Sequence, residues 1–193
     1  MKLGKVGALC KGAKRFFVYK KWRDQWLSDG GAIYPIRELP MLKEDNVYAL
    51  FDIPEDKRGK MQYYEDDIPY GIALDDACED EVVVQLAPIS IVCYGSTYSP
   101  IKGRYGILYI DRRYLGPLGD DITLYERYYP RSDKSYIAVK RGLLLEAIIL
   151  PAQIATKELA DILKKIGELT ALVAGDDFEP EQEEMDVSFS TYI

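Results

Sequence analysis

The sequence predicts an α+β protein: a mostly antiparallel sheet with short N-terminal helices and a longer C-terminal amphipathic helix. Three observations predict it. Short β-branched and aromatic runs recur through the middle of the chain, bounded by Pro, Gly and acidic clusters, as strands are. Residues 3–13 place Leu3, Val6, Cys10 and Ala13 on one helical face. From Thr156, a candidate N-cap, Leu159, Ile162, Leu163, Ile166, Leu169 and Val173 follow helical spacing, and Gly175 is set to end that helix. Hydrophobic residues make up 48% of the chain and charged residues 30%, so a packed core is expected.

Taken in order, residues 15–21 read as a strand after the first helix, and 25–36 as another, interrupted at Asp29-Gly30-Gly31. Residues 39–50 suit a second short helix with Pro40 in its first turn. Strands are expected at 61–64, 70–74, 82–86, 89–94 and 105–110, then a brief helical turn within 111–118. Residues 122–128 and 135–140 form a hairpin through 130–134, and 143–150 complete the sheet before Pro151. Residues 1–175 make one domain, open to division into similar halves near 1–95 and 96–175, and 176–193 form an acidic tail.

Charge is segregated along the chain. Residues 1–23 carry eight bases and no acid, residues 65–81 carry eight acids and no base, and the stretch after Lys165 carries eight more acids. The net charge of −7 is therefore largely that of the last stretch. Histidine is absent, which excludes His-dependent triads, His acid–base catalysis and nearly all catalytic zinc sites. Cys10, Cys78 and Cys93 are odd in number and widely spaced, as suits a reducing cytoplasm rather than a disulfide framework. The longest apolar run, 143–150, contains Glu146 and is too short to span a bilayer, so no membrane role is expected.

No motif commits the chain to catalysis. Neither Gly4-Lys5-Val6-Gly7 nor Gly103-Arg104-Tyr105-Gly106 has phosphate-loop spacing, and the acids of 65–81 lack the pattern of a calcium loop. No catalytic residue, metal ligand or cofactor is assigned. Asp29, Asp111 and the Asp75-Asp76 pair are the carboxylates an enzyme would have to use. Two basic sets suit phosphates: Lys2, Lys5, Lys11, Lys14, Arg15, Lys20 and Lys21, and then Lys102, Arg104, Arg112 and Arg113, which alternate with tyrosines. Asp66, Asp67, Asp75 and Asp76 suit a basic partner, as do Phe189 and Tyr192 at the apolar tip of the tail. That tip reads either as a partner hook or as a last edge strand.

In local pattern the chain resembles small proteins encoded in bacteriophage and prophage genomes, and some features are similar to a DNA sliding clamp. The clamp-like features are the helix 3–13 leading into strands, and the Asp29-Gly30 turn followed by Ala32-Ile33-Tyr34. The strand and helical turn at 107–118 and the closing run Ile149-Leu150-Pro151 add to them. Polarised charge, 16 tyrosines and the missing catalytic groups point to a non-enzymatic accessory or regulatory protein of nucleic-acid metabolism that acts through a protein partner, with DNA and self-association open; a clamp-like role is what the resemblance implies. Two alternatives stand beside it: an acidic DNA mimic that inhibits a host defence nuclease (anti-CRISPR or anti-restriction), and a carboxylate- and Mg-dependent enzyme.

Overall fold

The N-terminal helix α1 (Leu3–Ala13) buries Val6, Gly7 and Cys10 and leaves its lysines in solvent. It ends at Lys14, whose left-handed φ of 56° turns the chain back along the sheet. A three-strand meander follows: β1 (Arg15–Lys21), β2 (Asp24–Ser28) and β3 (Ala32–Pro35). Helices α2 (Glu44–Leu50) and α3 (Glu55–Arg58) lead to β4 (Gln62–Asp66), which returns parallel to β1. Then come β5 (Val82–Val84), β6 (Ile91–Cys93), β7 (Ser96–Gly103) and β8 (Gly106–Asp111). A 3-10 turn (Arg112–Leu115) opens the second meander, β9 (Thr123–Tyr129), β10 (Lys134–Arg141) and β11 (Leu144–Ile149).

The large sheet has eight strands in the order β4-β1-β2-β3-β11-β10-β9-β5, antiparallel except at β1–β4. Its centre is the seam where β3 meets β11, so the two meanders join through their last strands, each meander entered from a helical segment. Strands β6, β7 and β8 form a separate small sheet. Alternation sends Phe16, Val18, Ile137 and Val139 to one face, against α1, α2 and, from the small sheet, Ile101 and Ile110. Tyr19, Trp26, Ile33, Tyr136, Ala138 and Ile148 face the other way, against Ile68, Ile72 and Leu74. A bulge between Val139 and Lys140 leaves Glu146 as the extra residue of β11, which puts Leu145 and Ile148 on one face although they are three apart.

The computed structural model describes residues 1–129 and 134–154, with single positions Asp161, Lys165 and Glu168 beyond them. Met1–Gln153 form one compact unit and Ile154–Ile193 a second. Within the second, Asp161, Lys165 and Glu168 are helical and exposed, at spacings that make one polar stripe. The apolar side of the expected C-terminal helix, the tail with Phe189 and Tyr192, and residues 130–133 lie outside the described residues. Among the described residues no helix is long and apolar enough to cross a membrane.

Three expectations need correction. The second helix starts at Glu44, because 36–43 form a loop pinned by Gln25, whose Nε2 donates to Leu39 O and Pro40 O while its Oε1 accepts from Leu42 N. No strand forms at 70–74: the backbone there bonds to side chains, with Ala73 N donating to Tyr136 Oη at 2.9 Å and Arg127 Nη1 donating to Ala73 O at 2.9 Å. Strand β7 was not expected, since Ser, Thr and Pro100 mask it; Pro100 O instead accepts from Ala87 N.

Candidate recognition surface

The basic N-terminal set begins on α1. That helix has no side-chain N-cap and no acid in its first turn, so its dipole adds to the positive field of Lys2 and Lys5 rather than offsetting it. Lys2, Lys5, Lys14 and Arg15 are exposed, and none makes an ion pair among the described residues. Lys11 is exposed but its Nζ donates to Phe51 O at 3.2 Å. Lys20 is neutralised by Glu65 at 2.6 Å, and that hydrogen bond holds the Glu65 carboxyl below its usual range. Lys21 stands at the far end of β1, beside the β1–β2 turn.

That turn carries an exposed aromatic residue that no sequence motif marks. Trp22 is 94% exposed and its backbone lies in the left-handed region at φ 62°, where an L side chain is strained. Lys21 and Arg23 flank it, both exposed and without an ion pair among the described residues. Beneath lies a cleft of about 470 Å³, floored by Trp26, Pro35, Leu39, Leu74 and Leu145 and walled by Arg37, Glu38, Asp75 and Asp76. Register places the Gly142-Leu143 turn at the same end of the sheet, about three strand spacings (~14 Å) from Trp22. Leu143 is 85% exposed there. The available signal was Lys-Trp-Arg-Asp between two strand runs, a large aromatic at a two-residue hairpin turn.

The acidic segment is anchored rather than wholly solvated. Asp66, Asp67, Asp75, Asp76, Glu79 and Asp80 face solvent, but Glu81 turns inward. Its Oε2 accepts from Arg127 Nη2 at 2.8 Å and from Nε at 3.0 Å, and its Oε1 pairs with Lys140 Nζ. Burial acts to raise the Glu81 pKa; hydrogen bonds from Lys140 and Arg127 outweigh it, and the carboxyl sits below its ordinary value. Asp76 Oδ1 accepts from Leu145 N at 2.7 Å and lies 3.8 Å from Arg37. Of the four partner-binding acids expected, Asp75 and Asp76 line the cleft, while Asp66 ends β4 beside β1 and Asp67 follows it.

The second basic set is not one patch. Lys102 and Arg104 stand at the β7–β8 turn, and Arg112 and Arg113 at the other end of β8. Arg104 is tied to Asp80 O, Arg112 donates to Ser90 Oγ at 3.2 Å, and Arg113 is paired with Asp111 at 2.7 Å. The carboxylates an enzyme would need are likewise engaged. Asp29 Oδ1 accepts from Gly31 N and Ala32 N, closing the β2–β3 turn, and Asp111 caps the 3-10 turn through Arg113 N. Tyr114 packs against Gly31, and burial with the nearby Asp29 charge pushes its phenol well up. No group of three or more His, Cys, Asp or Glu positioned for a metal occurs among the described residues.

Comparison with known proteins finds no matching family model, no matching curated protein and no matching solved structure.

Proposed function

We propose that this chain is a phage-type, non-enzymatic accessory protein of nucleic-acid metabolism, acting in the cytoplasm through contact with a protein partner and holding DNA by its phosphates. The observation that carries the reading is the set Lys2, Lys5, Lys14 and Arg15: exposed, uncompensated among the described residues, and gathered on α1 and the strand start behind it. Cations left unpaired on a chain of net charge −7 have acids available to them, and their isolation suits an anionic ligand. Each meander is entered from a helical segment that carries bases and no acid, α1 and the 3-10 turn Arg112–Leu115, which supports the clamp-like resemblance.

A second reading has its own observation. Asp66, Asp67, Asp75, Glu79 and Asp80 are exposed along one segment held to the sheet, an arrangement that suits mimicry of DNA phosphates in a basic nuclease channel. The two readings separate by mutation. Reversing Lys2, Lys5, Lys14 and Arg15 to Glu abolishes binding of a labelled DNA duplex under the first reading, and Asp66→Asn, Asp67→Asn and Asp75→Asn leave it intact. Under the second, no DNA binds, and the Asn substitutions weaken a complex with a strongly basic nuclease that DNA competes away.

A further inference from the structure

The geometry points to the Lys21-Trp22-Arg23 hairpin tip as a stacking site for an unpaired nucleobase, with single-stranded nucleic acid as its ligand. The inference rests on the nucleic-acid reading above and adds to it the class of strand and the residue that reads it. A tryptophan at 94% exposure has withdrawn almost none of its surface from water, and the left-handed backbone that holds it out is one that side chains rarely adopt. Nothing in the packing of the tip requires an indole there, in contrast to Trp26, four residues on, which is 7% exposed and belongs to the core.

The two neighbours supply the other half of such a site. Lys21 and Arg23 bracket the ring and carry no ion pair among the described residues, so a phosphate on either side of a stacked base meets an uncompensated cation. The tip opens on the face of the sheet away from the basic helix, since Trp22 lines its cleft together with Trp26, Leu74 and Leu145. The start of α1 reaches the same end of the sheet over β11, where the Met1 amino group lies 3.4 Å from Glu146. A strand of nucleic acid that passes over this end of the sheet meets phosphate-binding lysines on one face and the aromatic platform on the other. Duplex DNA keeps its bases stacked inside and offers the ring no free face, which is why the ligand is single-stranded.

The protein contains only two tryptophans, so its fluorescence reports the site directly. The full chain is titrated with oligothymidylate and with an abasic oligomer of equal length, which keeps the phosphates and lacks the bases. The site predicts quenching of the exposed Trp22 emission by oligothymidylate alone, and binding about tenfold tighter than to the abasic strand. Trp22→Ala binds both strands at the abasic level, Trp22→Phe keeps most of the difference, and the buried Trp26 emission, unchanged in both variants, shows that they fold. Equal binding of the two strands without quenching would overturn the stacking site, assign the tip to a protein surface and leave phosphate binding standing. Absence of binding to either strand and to duplex at low salt would remove the nucleic-acid reading itself.

Discussion

Arg127 Nη2 lies 2.8 Å from Glu81 Oε2, and the guanidinium, with 1% of its side chain exposed, also donates to Ala73 O and to Asp76 O. One buried side chain on β9 thereby fastens the acidic 66–81 segment across the open face of the large sheet. Arg127→Met removes these bonds and leaves Glu81 with Lys140 alone. Loss of one partner of a buried pair costs about 3–5 kcal/mol. Urea denaturation should show that loss, and limited proteolysis should cut first within 66–81.

Acid should act on the same contact. The Glu81 carboxyl is below its ordinary value when folded, so the unfolded chain takes up its proton first as pH falls. Its stabilisation is present above the ordinary carboxylate pKa and is lost as pH drops through the depressed folded value. Denaturation midpoints measured downward from pH 7 should fall below about pH 4.5, and Glu81→Gln should flatten that dependence.

At alkaline pH the sign reverses. Burial, with Asp29 nearby, raises the Tyr34 phenol far above its ordinary value of 10, and Tyr114 is raised by the same causes. The unfolded chain loses these protons first, so stability present below pH 10 is lost as pH rises past it. Tyr34 Oη also donates to Tyr114 O at 2.8 Å, so Tyr34→Phe should destabilise at neutral pH while shrinking the alkaline loss.

The glycines of α1 separate packing from propensity. A Cβ at Gly7 would meet the Phe51 ring at 2.1 Å, whereas at Gly4 and Gly12 nothing lies within 4 Å. Gly7→Ala should destabilise by about 1–3 kcal/mol through overpacking. Gly4→Ala and Gly12→Ala should each stabilise by up to about 1 kcal/mol, by urea denaturation.

Trp22→Gly relieves a left-handed residue at φ 62° and buries no less surface than before. Thermal unfolding should move upward, by up to about 1 kcal/mol in stability, while any base-dependent binding disappears. A variant that loses stability would show that the indole is structural.

Much of the sheet was legible because its strands alternate or are rich in β-branched residues. The expected strand at 15–21 is β1 residue for residue, and the expected helix at 3–13 is α1. Strands β9, β10 and β11 lie within two residues of their expected bounds for the same reason. What escaped depends on distant partners. The apolar residues Ile68, Ile72 and Leu74 pack on the sheet without forming a strand, because their backbone is bonded by Arg127 and Tyr136, 54 and 63 residues away from Ala73. The parallel pairing of β4 with β1 has no local signature either. Of the candidate site, charge segregation exposed the α1 lysines, but the grouping of Lys102, Arg104, Arg112 and Arg113 followed sequence proximity across a strand that separates its two ends. The 94% exposure of Trp22 has no local signature either, since Trp26, four residues on, is buried.

The most direct test of phosphate binding by the α1 surface is the salt dependence of duplex DNA affinity, measured by fluorescence anisotropy from about 50 to 200 mM monovalent salt. Contact through Lys2, Lys5, Lys14 and Arg15 predicts that log K falls linearly with log salt, with a slope of roughly −3 to −4. The same four residues changed to Glu should abolish the binding. No binding even at the lowest salt, or a slope that the four substitutions leave unchanged, would contradict the account.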